Sequence, residues 1–136
     1  TLVVAGVPAT LFIPGWTVEN HGDRAEMVLK AGHEIGHHSY SHAWIDPAFP
    51  EQEVEEMERG LDALKRVLGV VPRGYRSPAG ETSDNTIRLL AKHGFLYDSS
   101  MMADRRRGRS SRIAISERYG RTSSARSIAG ADTTTS

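Results

Sequence analysis

The 136-residue sequence contains no cysteine. Disulfide bonds and thiolate zinc sites are therefore excluded, and a metal ion could be held only by histidine, aspartate or glutamate side chains. No apolar run approaches the roughly 20 residues that a membrane-spanning helix needs, so we expect no membrane partner. The start of the sequence also lacks the basic region and the cleavage site of a signal peptide, which makes a cytoplasmic protein the default expectation.

The formal net charge is zero, but the charges are unevenly divided along the chain. Residues 103–136 carry eight arginines and three acidic residues, whereas residues 1–102 carry nine basic and 14 acidic residues. We therefore predict one α/β domain over residues 1–102 and an irregular tail rich in Arg, Ser and Thr over residues 103–136. No aromatic residues alternate with these arginines in a way that supports base stacking. A solvated tail is favoured over a nucleic-acid-binding arm, and we expect no nucleic-acid partner.

Strand and helix signals alternate along the predicted domain. The predicted strands are the apolar run 7–15, HEIG (33–36), VVPRGYRSP (70–78) and FLYDSS (95–100), and RIAISERY (112–119) is a further candidate. The predicted helices begin at Asp23, at Pro50 and at Ser83 or Asp84, and they end at Gly32, Gly69 and Gly94. This alternation indicates a parallel sheet, in which functional residues lie in the loops after the carboxyl ends of strands.

Four of the six histidines lie within one short stretch, AGHEIGHHSYSH. His33 and His37 match the H-E-x-x-H pattern of helical zinc peptidases. However, Gly32 and Gly36 each disfavour a helix by about 1 kcal/mol relative to alanine, and HEIG is better explained by a short strand. The peptidase interpretation is therefore disfavoured.

His38 and His42 have the same interval but lie in a predicted strand-to-helix loop. A single helical turn in this loop would direct both imidazole rings to one side. The spacing alone leaves two interpretations about equally favoured: a pair of metal ligands, or histidines that hydrogen-bond to the backbone. The neighbouring motifs have to decide between them.

The segments TLFIPGW, AGHEIGHHSYSH, GYRSPAGE and LLAKHGFLYDSS closely resemble, in order and spacing, the NodB-homology polysaccharide deacetylases of the carbohydrate esterase type. The likeness covers roughly residues 5–102. It is nearest to the branch that contains peptidoglycan deacetylases and cyclic-imide or allantoin hydrolases. The resemblance implies a partial distorted (β/α) barrel of the glycoside hydrolase/deacetylase type.

In that family a divalent metal ion, usually zinc, is bound by two histidines and one aspartate, and His38 and His42 match the two histidines. Ser39 matches the residue that steadies the loop between them. The metal polarises an acetamide carbonyl and its bound water attacks the carbon, which releases an amine and acetate. Arg76 matches the arginine that orients the catalytic aspartate, and the backbone N–H of Ala79 matches a donor to the oxyanion.

Trp16 and Pro78 are predicted to border the substrate, although packing is an equally good explanation of Trp16. The family's paired aspartates, which supply the base and the third ligand, and its downstream histidine acid have no counterpart in this sequence. Without its aspartate partner, Arg76 is expected to point into solvent. The start without methionine suggests that the native chain begins upstream.

We therefore predict a truncated hydrolase of carbon–nitrogen bonds, descended from an enzyme that deacetylates an N-acetylhexosamine polysaccharide such as peptidoglycan or chitin. As given, the chain is expected to be weakly active or inactive. The alternatives are a hydrolase of small cyclic imides or allantoin-type amides, and a catalytically dead fragment. Half a barrel leaves sheet edges uncovered, so we also expect association into oligomers.

Overall fold

The computed structural model describes residues 6–100 and 113–114 of the chain. Within these residues a single five-stranded sheet has the order β1-β2-β3-β4-β5. Its strands are Thr10–Ile13 (β1), Glu34–His37 (β2), Gly74–Tyr75 (β3), Tyr97–Asp98 (β4) and Ile113–Ala114 (β5). Strands β1 to β4 are parallel, and β5 pairs with β4 in the antiparallel direction. The predicted tail lies outside the described residues except for β5.

Four helices occur in the same part of the chain: Gly15–Asn20 (α1), Gly22–Lys30 (α2), Pro50–Leu68 (α3) and Asp84–Lys92 (α4). Helices separate the first four strands, so the predicted α/β alternation is confirmed. None of these described helices has the length and apolar composition of a membrane-spanning segment.

Helix α3 has the bounds that the sequence predicts, and Gly69 ends it in the left-handed conformation with φ of 67°. Apolar side chains of α3 contribute to both clusters of the hydrophobic core, Met57 to the first and Leu64 to the second. One cluster contains Met57, Tyr75, Leu89, Leu90 and Phe95. The other contains Val18, Ala25, Ile35 and Leu64.

The opposite face of the sheet is built from pairs of one glycine and one aromatic ring. The register places Phe12 beside Gly36 and Tyr97 beside Gly74. A Cβ atom on Gly36 would lie 2.5 Å from the Phe12 ring, and one on Gly74 would lie 2.5 Å from Tyr97 Cε2. The two rings therefore lie directly over the glycines, and they meet edge to face with centroids 6.4 Å apart.

The region between β1 and β2 differs from the sequence prediction. Instead of one helix capped by Asp23, the chain forms α1 directly after β1 and then α2, whose N-cap is His21 without a side-chain hydrogen bond. Asp23 lies inside the first turn of α2, so the predicted capping box is wrong. The backbone carbonyl of His21 instead accepts the first helical bonds, from the N–H groups of Arg24 and Ala25.

The N-terminus of α4 confirms the predicted cap at Ser83. Its Oγ accepts the N–H groups of Asn85 and Thr86, both at 3.1 Å, and Thr86 Oγ1 accepts the Ser83 N–H at 2.9 Å.

Ser83→Ala should lower the free energy of unfolding by about 1 kcal/mol, since it removes an N-cap acceptor. Urea denaturation measures this loss. Ser83→Thr keeps the hydroxyl and should remain near the wild type, whereas an unchanged midpoint in Ser83→Ala would contradict the prediction.

Candidate metal centre

His38 directly follows β2, and His42 lies in the loop that leads to α3. Their ring centroids are 4.9 Å apart, and the ring planes are inclined by 76°. His38 Nδ1 lies 2.7 Å from the carbonyl oxygen of Arg76. Because a carbonyl oxygen only accepts, Nδ1 carries the proton and Nε2 keeps its lone pair. Metal-binding histidines are commonly oriented in this way by a backbone carbonyl.

The pKa of His38 is lowered from its usual value. Burial is the main cause, and the nearby His42 and Arg76 add to it, while the hydrogen bond to the Arg76 carbonyl opposes it. A lower pKa favours the neutral imidazole, which is the form that binds a metal ion.

The loop between the two histidines is not helical. Ser39 and His42 both have left-handed backbone conformations, with φ of 64° and 67°. The predicted single helical turn is therefore wrong. The rings come together because the chain turns back at these two residues.

His37, the neighbour of His38, belongs to the core. It is fully buried, and its ring packs against both Tyr75 and Phe95 with centroid distances of 5.6 and 5.7 Å. Nδ1 accepts the Ser39 N–H at 3.2 Å, so Nε2 carries the proton and donates to the Met57 carbonyl at 3.0 Å. Both ring nitrogens of His37 are thus engaged within the protein.

The H-E-x-x-H pattern of His33 to His37 does not form the helical zinc site of a peptidase. The segment HEIG is extended, as predicted, with β2 running from Glu34 to His37. His33 Nδ1 accepts the N–H of Ala9 at 3.3 Å. Glu34, which would be the peptidase base, accepts hydrogen bonds from the hydroxyls of Thr10 at 2.7 Å and Tyr97 at 2.8 Å.

The loop is held from one side by the N-terminus of α1. The N–H of Gly15 donates to the Ser39 carbonyl at 3.0 Å, and the N–H of Trp16 donates to the Tyr40 carbonyl at 2.9 Å. Trp16 therefore lies in the first turn of a helix rather than in a loop, with 52% of its surface exposed beside the candidate site. Its contact with substrate stays a prediction.

Glu56 of α3 holds the loop from the other side. Its carboxylate accepts hydrogen bonds from Ser39, Tyr40 and Ser41. Burial alone would raise the pKa of Glu56, but these hydrogen bonds outweigh burial and lower it below the usual value. Sequence reasoning missed Glu56 because it lies among several glutamates of an acidic helix, and no local pattern distinguishes it.

Arg76 is exposed, but its side chain is held against the segment after β4 and does not extend freely into solvent as predicted. Its Nε donates to the Ser99 carbonyl at 3.0 Å, a terminal nitrogen donates to Ser99 Oγ at 2.7 Å, and the guanidinium lies 4.8 Å from the centre of the Phe12 ring. The segment after β4 thus supplies acceptors that were not foreseen. Arg76 is fixed at the same edge of the sheet as His38.

Pro78 and Ala79 lie in a tight turn after β3. The turn is closed by the N–H of Gly80, which donates to the Ser77 carbonyl at 3.2 Å. Gly80 has φ of 79°, a conformation that favours glycine. Ala79 is exposed and Pro78 half-buried, so both are accessible at the carboxyl edge of the sheet. Their contacts with substrate and oxyanion stay predictions.

Among the residues that the structure describes, no group of three His, Asp or Glu side chains is arranged to hold a metal ion. Asp46 accepts the N–H of Ala48 at 2.9 Å, and Asp98 accepts the N–H of Ser100 at 2.8 Å. His38 and His42 therefore form a two-donor set. Two imidazole nitrogens suit zinc or cobalt and are poor ligands for magnesium or calcium.

Paired imidazoles and a fixed arginine at the carboxyl edge of a parallel α/β sheet lie where α/β enzymes, barrels and open sheets alike, carry their sites, in the strand-to-helix loops. A family model for polysaccharide deacetylases matches residues 1–97. The chain belongs to the polysaccharide deacetylase family. The predicted fold class, an α/β domain corresponding to part of the distorted barrel of these proteins, is confirmed.

Three relatives illustrate the match. The peptidoglycan deacetylase of Helicobacter pylori is 40% identical over 96 residues, which are 71% of this chain and 33% of that protein. A structure from Mycobacterium smegmatis, assigned to the polysaccharide deacetylases, has a TM-score of 0.70 and 44% identity over 74% of this chain and 35% of its own. A family 4 acetyl xylan esterase from Clostridium thermocellum, solved with a cobalt ion, has a TM-score of 0.59 and 26% identity, covering 65% of this chain and 43% of its own. This chain thus spans about a third of the Helicobacter relative's length.

Proposed function

We propose that the chain is part of a zinc-dependent hydrolase that removes acetyl groups from the N-acetylhexosamine units of a polysaccharide such as peptidoglycan or chitin. The observation that carries this proposal is the pair of His38 and His42 rings, 4.9 Å apart at the carboxyl edge of the sheet. The names of the relatives support the substrate class, since they include peptidoglycan deacetylases and chitin deacetylases.

His38 and His42 would hold the metal ion, with the free Nε2 of His38 as one donor. When bound, the ion supplies Lewis-acid activation of the amide carbonyl and of a water molecule. The Ala79 N–H would donate to the oxyanion that forms on the acetamide. Arg76 keeps His38 in the required tautomer through its carbonyl group, and Trp16 with Pro78 would border the sugar.

Acetate release from N-acetylated chito-oligomers in the presence of Zn²⁺ or Co²⁺ tests the proposed activity. Two donors are fewer than the three protein ligands of a typical catalytic zinc site, so the rate should lie far below that of a complete relative. The His38→Ala/His42→Ala double variant should abolish what remains. Release that does not depend on these histidines would contradict the proposal, and turnover of allantoin in place of the oligomer would favour the cyclic-amide alternative.

Zinc binding distinguishes the two histidine pairs directly. His42→Ala should weaken the affinity for Zn²⁺ at least tenfold, because it removes half of the donor set. His33→Ala should have little effect, since that ring only accepts a backbone N–H. Calorimetric titration of the whole chain measures both. An equal loss of affinity in the two variants would mean that zinc binds through His33 as well.

A further inference from the structure

We infer that Glu56 is the positioning residue of the candidate metal centre, since its carboxylate fixes the backbone of the loop that carries His38 and His42. The inference rests on the proposed function, because it assigns Glu56 a role in that same site. It concerns a residue that has no place among the motifs of the sequence.

The first observation is how completely the Glu56 carboxylate is used. Oε2 accepts the Ser39 hydroxyl together with the backbone N–H groups of Tyr40 at 3.1 Å and Ser41 at 2.8 Å. Oε1 accepts the Ser41 hydroxyl at 2.8 Å. A carboxylate offers about four acceptor positions, and the four hydrogen bonds that Glu56 accepts all come from three consecutive residues of one loop.

The second observation is the conformation that these hydrogen bonds impose. Consecutive N–H groups converge on one anionic oxygen where the chain curls around it, and a left-handed residue is one way of producing such a curl. Ser39 has that conformation, with φ of 64°. Left-handed backbone at a residue other than glycine costs roughly 1–2 kcal/mol and persists only where the surroundings require it. Glu56 supplies that requirement.

The third observation is that the loop is held on two opposite sides. The carbonyl groups of Ser39 and Tyr40 accept the N–H groups of Gly15 and Trp16 in α1. The N–H and hydroxyl groups of the same segment donate to Glu56 in α3. If the carboxylate is removed, the α1 contacts and the bond from the Ser39 N–H to His37 remain, but the N–H groups of Tyr40 and Ser41 lose their acceptor. The position of His42 relative to His38 is then no longer fixed.

Helix α3 offers a matched control. Glu53, three residues earlier, is buried, and like the half-buried Glu56 it accepts several hydrogen bonds, from Ser83 at 2.9 Å, Asn85 at 3.0 Å and Thr86. It anchors the N-terminus of α4 and does not contact the histidine loop. Its removal should therefore destabilise the protein at least as much as that of Glu56 without affecting the metal ligands. Glu55, which is exposed, controls for the lost negative charge.

The experiment compares Glu56→Ala, Glu53→Ala and Glu55→Gln in the whole chain. Calorimetric titration with Zn²⁺ gives the metal affinity, and amide hydrogen exchange of Tyr40 and Ser41 reports the order of the loop. Glu56→Ala should weaken zinc binding about 10–100-fold, as is typical when an outer partner of a metal ligand is lost, and should speed exchange of both amides. The other two variants should bind zinc within about twofold of the wild type.

Zinc affinity that is unchanged in Glu56→Ala, or that falls equally in Glu53→Ala, overturns the inference. If Glu56→Ala does not fold, Glu56→Gln keeps one carbonyl oxygen and should give an intermediate loss of affinity. A wild-type chain that fails to bind zinc would contradict the proposed metal centre. In that case amide exchange alone decides the role of Glu56: faster exchange only in the Glu56 variants supports it, and unchanged exchange overturns it.

Discussion

Replacing Gly60 by alanine is expected to destabilise the protein by about 2 kcal/mol, although alanine normally stabilises a helix by about 1 kcal/mol relative to glycine. Gly60 lies in α3 where the helix crosses the end of β2. A Cβ atom there would overlap the His37 ring, with Cε1 at 3.0 Å, and would lie 2.9 Å from the Ser39 carbonyl oxygen. His37 cannot move aside because it is enclosed by aromatic rings, so the helix has to shift away from the loop.

Urea denaturation of Gly60→Ala measures the loss, and a double-mutant cycle with His37→Ala identifies its cause. In the His37→Ala background the imidazole ring that the added methyl group would overlap is gone. The loss of unfolding free energy caused by Gly60→Ala should therefore be smaller by at least about 1 kcal/mol. Gly60→Ser should be worse than Gly60→Ala because it adds a further atom at the same contact. If Gly60→Ala instead increases stability, as helix propensity alone predicts, the close approach of α3 and β2 is not a constraint.

The second large effect concerns pH, in the absence of metal and with a chelator present. His37 donates from Nε2 to the Met57 carbonyl and accepts the Ser39 N–H on Nδ1, so it is neutral in the folded protein. Protonation of Nδ1 would place a proton against that N–H group. Burial is the main reason that the pKa of His37 falls from 6.5 to about 4.

Neighbouring groups make smaller contributions to the pKa of His37, and these contributions have opposite signs. His38 and His93 add to the lowering, whereas the Met57 hydrogen bond and Glu56 oppose it. Because the folded pKa lies below the unfolded one, the unfolded chain takes up the proton first as the pH falls. The stabilisation is fully present above pH 6.5 and is lost between about pH 6.5 and 4, to a total of about 3 kcal/mol.

Unfolding free energies at several pH values between 7 and 4 test this expectation. His37→Gln keeps a donor and an acceptor but cannot titrate, so its stability should fall less steeply with decreasing pH. His21→Gln, at an exposed ring, removes one histidine outside the core and should keep the wild-type slope. Equal slopes for His37→Gln and the wild type would show that other groups cause the acid sensitivity.

The elements that could be predicted from the sequence are those whose boundaries are set by neighbouring residues. Helix α4 begins at Ser83 because Ser83 and Thr86 cap each other, and α3 ends at Gly69 because glycine accepts the left-handed conformation. The spacing of His38 and His42 left their role open, and the neighbouring family motifs indicated a pair; the structure places the two rings together.

The features that escaped prediction depend on partners far away in the chain. Helix α1 has no side-chain cap, since its first N–H groups meet the carbonyls of Ser39 and Tyr40. The left-handed conformation of Ser39 goes with the hydrogen bonds to Glu56. Arg76 is held by Ser99, which only the pairing of β3 with β4 brings near. Each contact appears only after the sheet has formed.

The strand order has a consequence for how the chain assembles. From β1 to β5, each strand pairs with the one that immediately precedes it in the sequence. Each new strand closes only the loop of its own crossover, which keeps the entropy of loop closure low at every step. The sheet can therefore grow in the direction of synthesis, with each strand added to an edge already in place. On a ribosome, the histidine loop would complete its contacts only when β3 has emerged, because His38 is held by the carbonyl of Arg76.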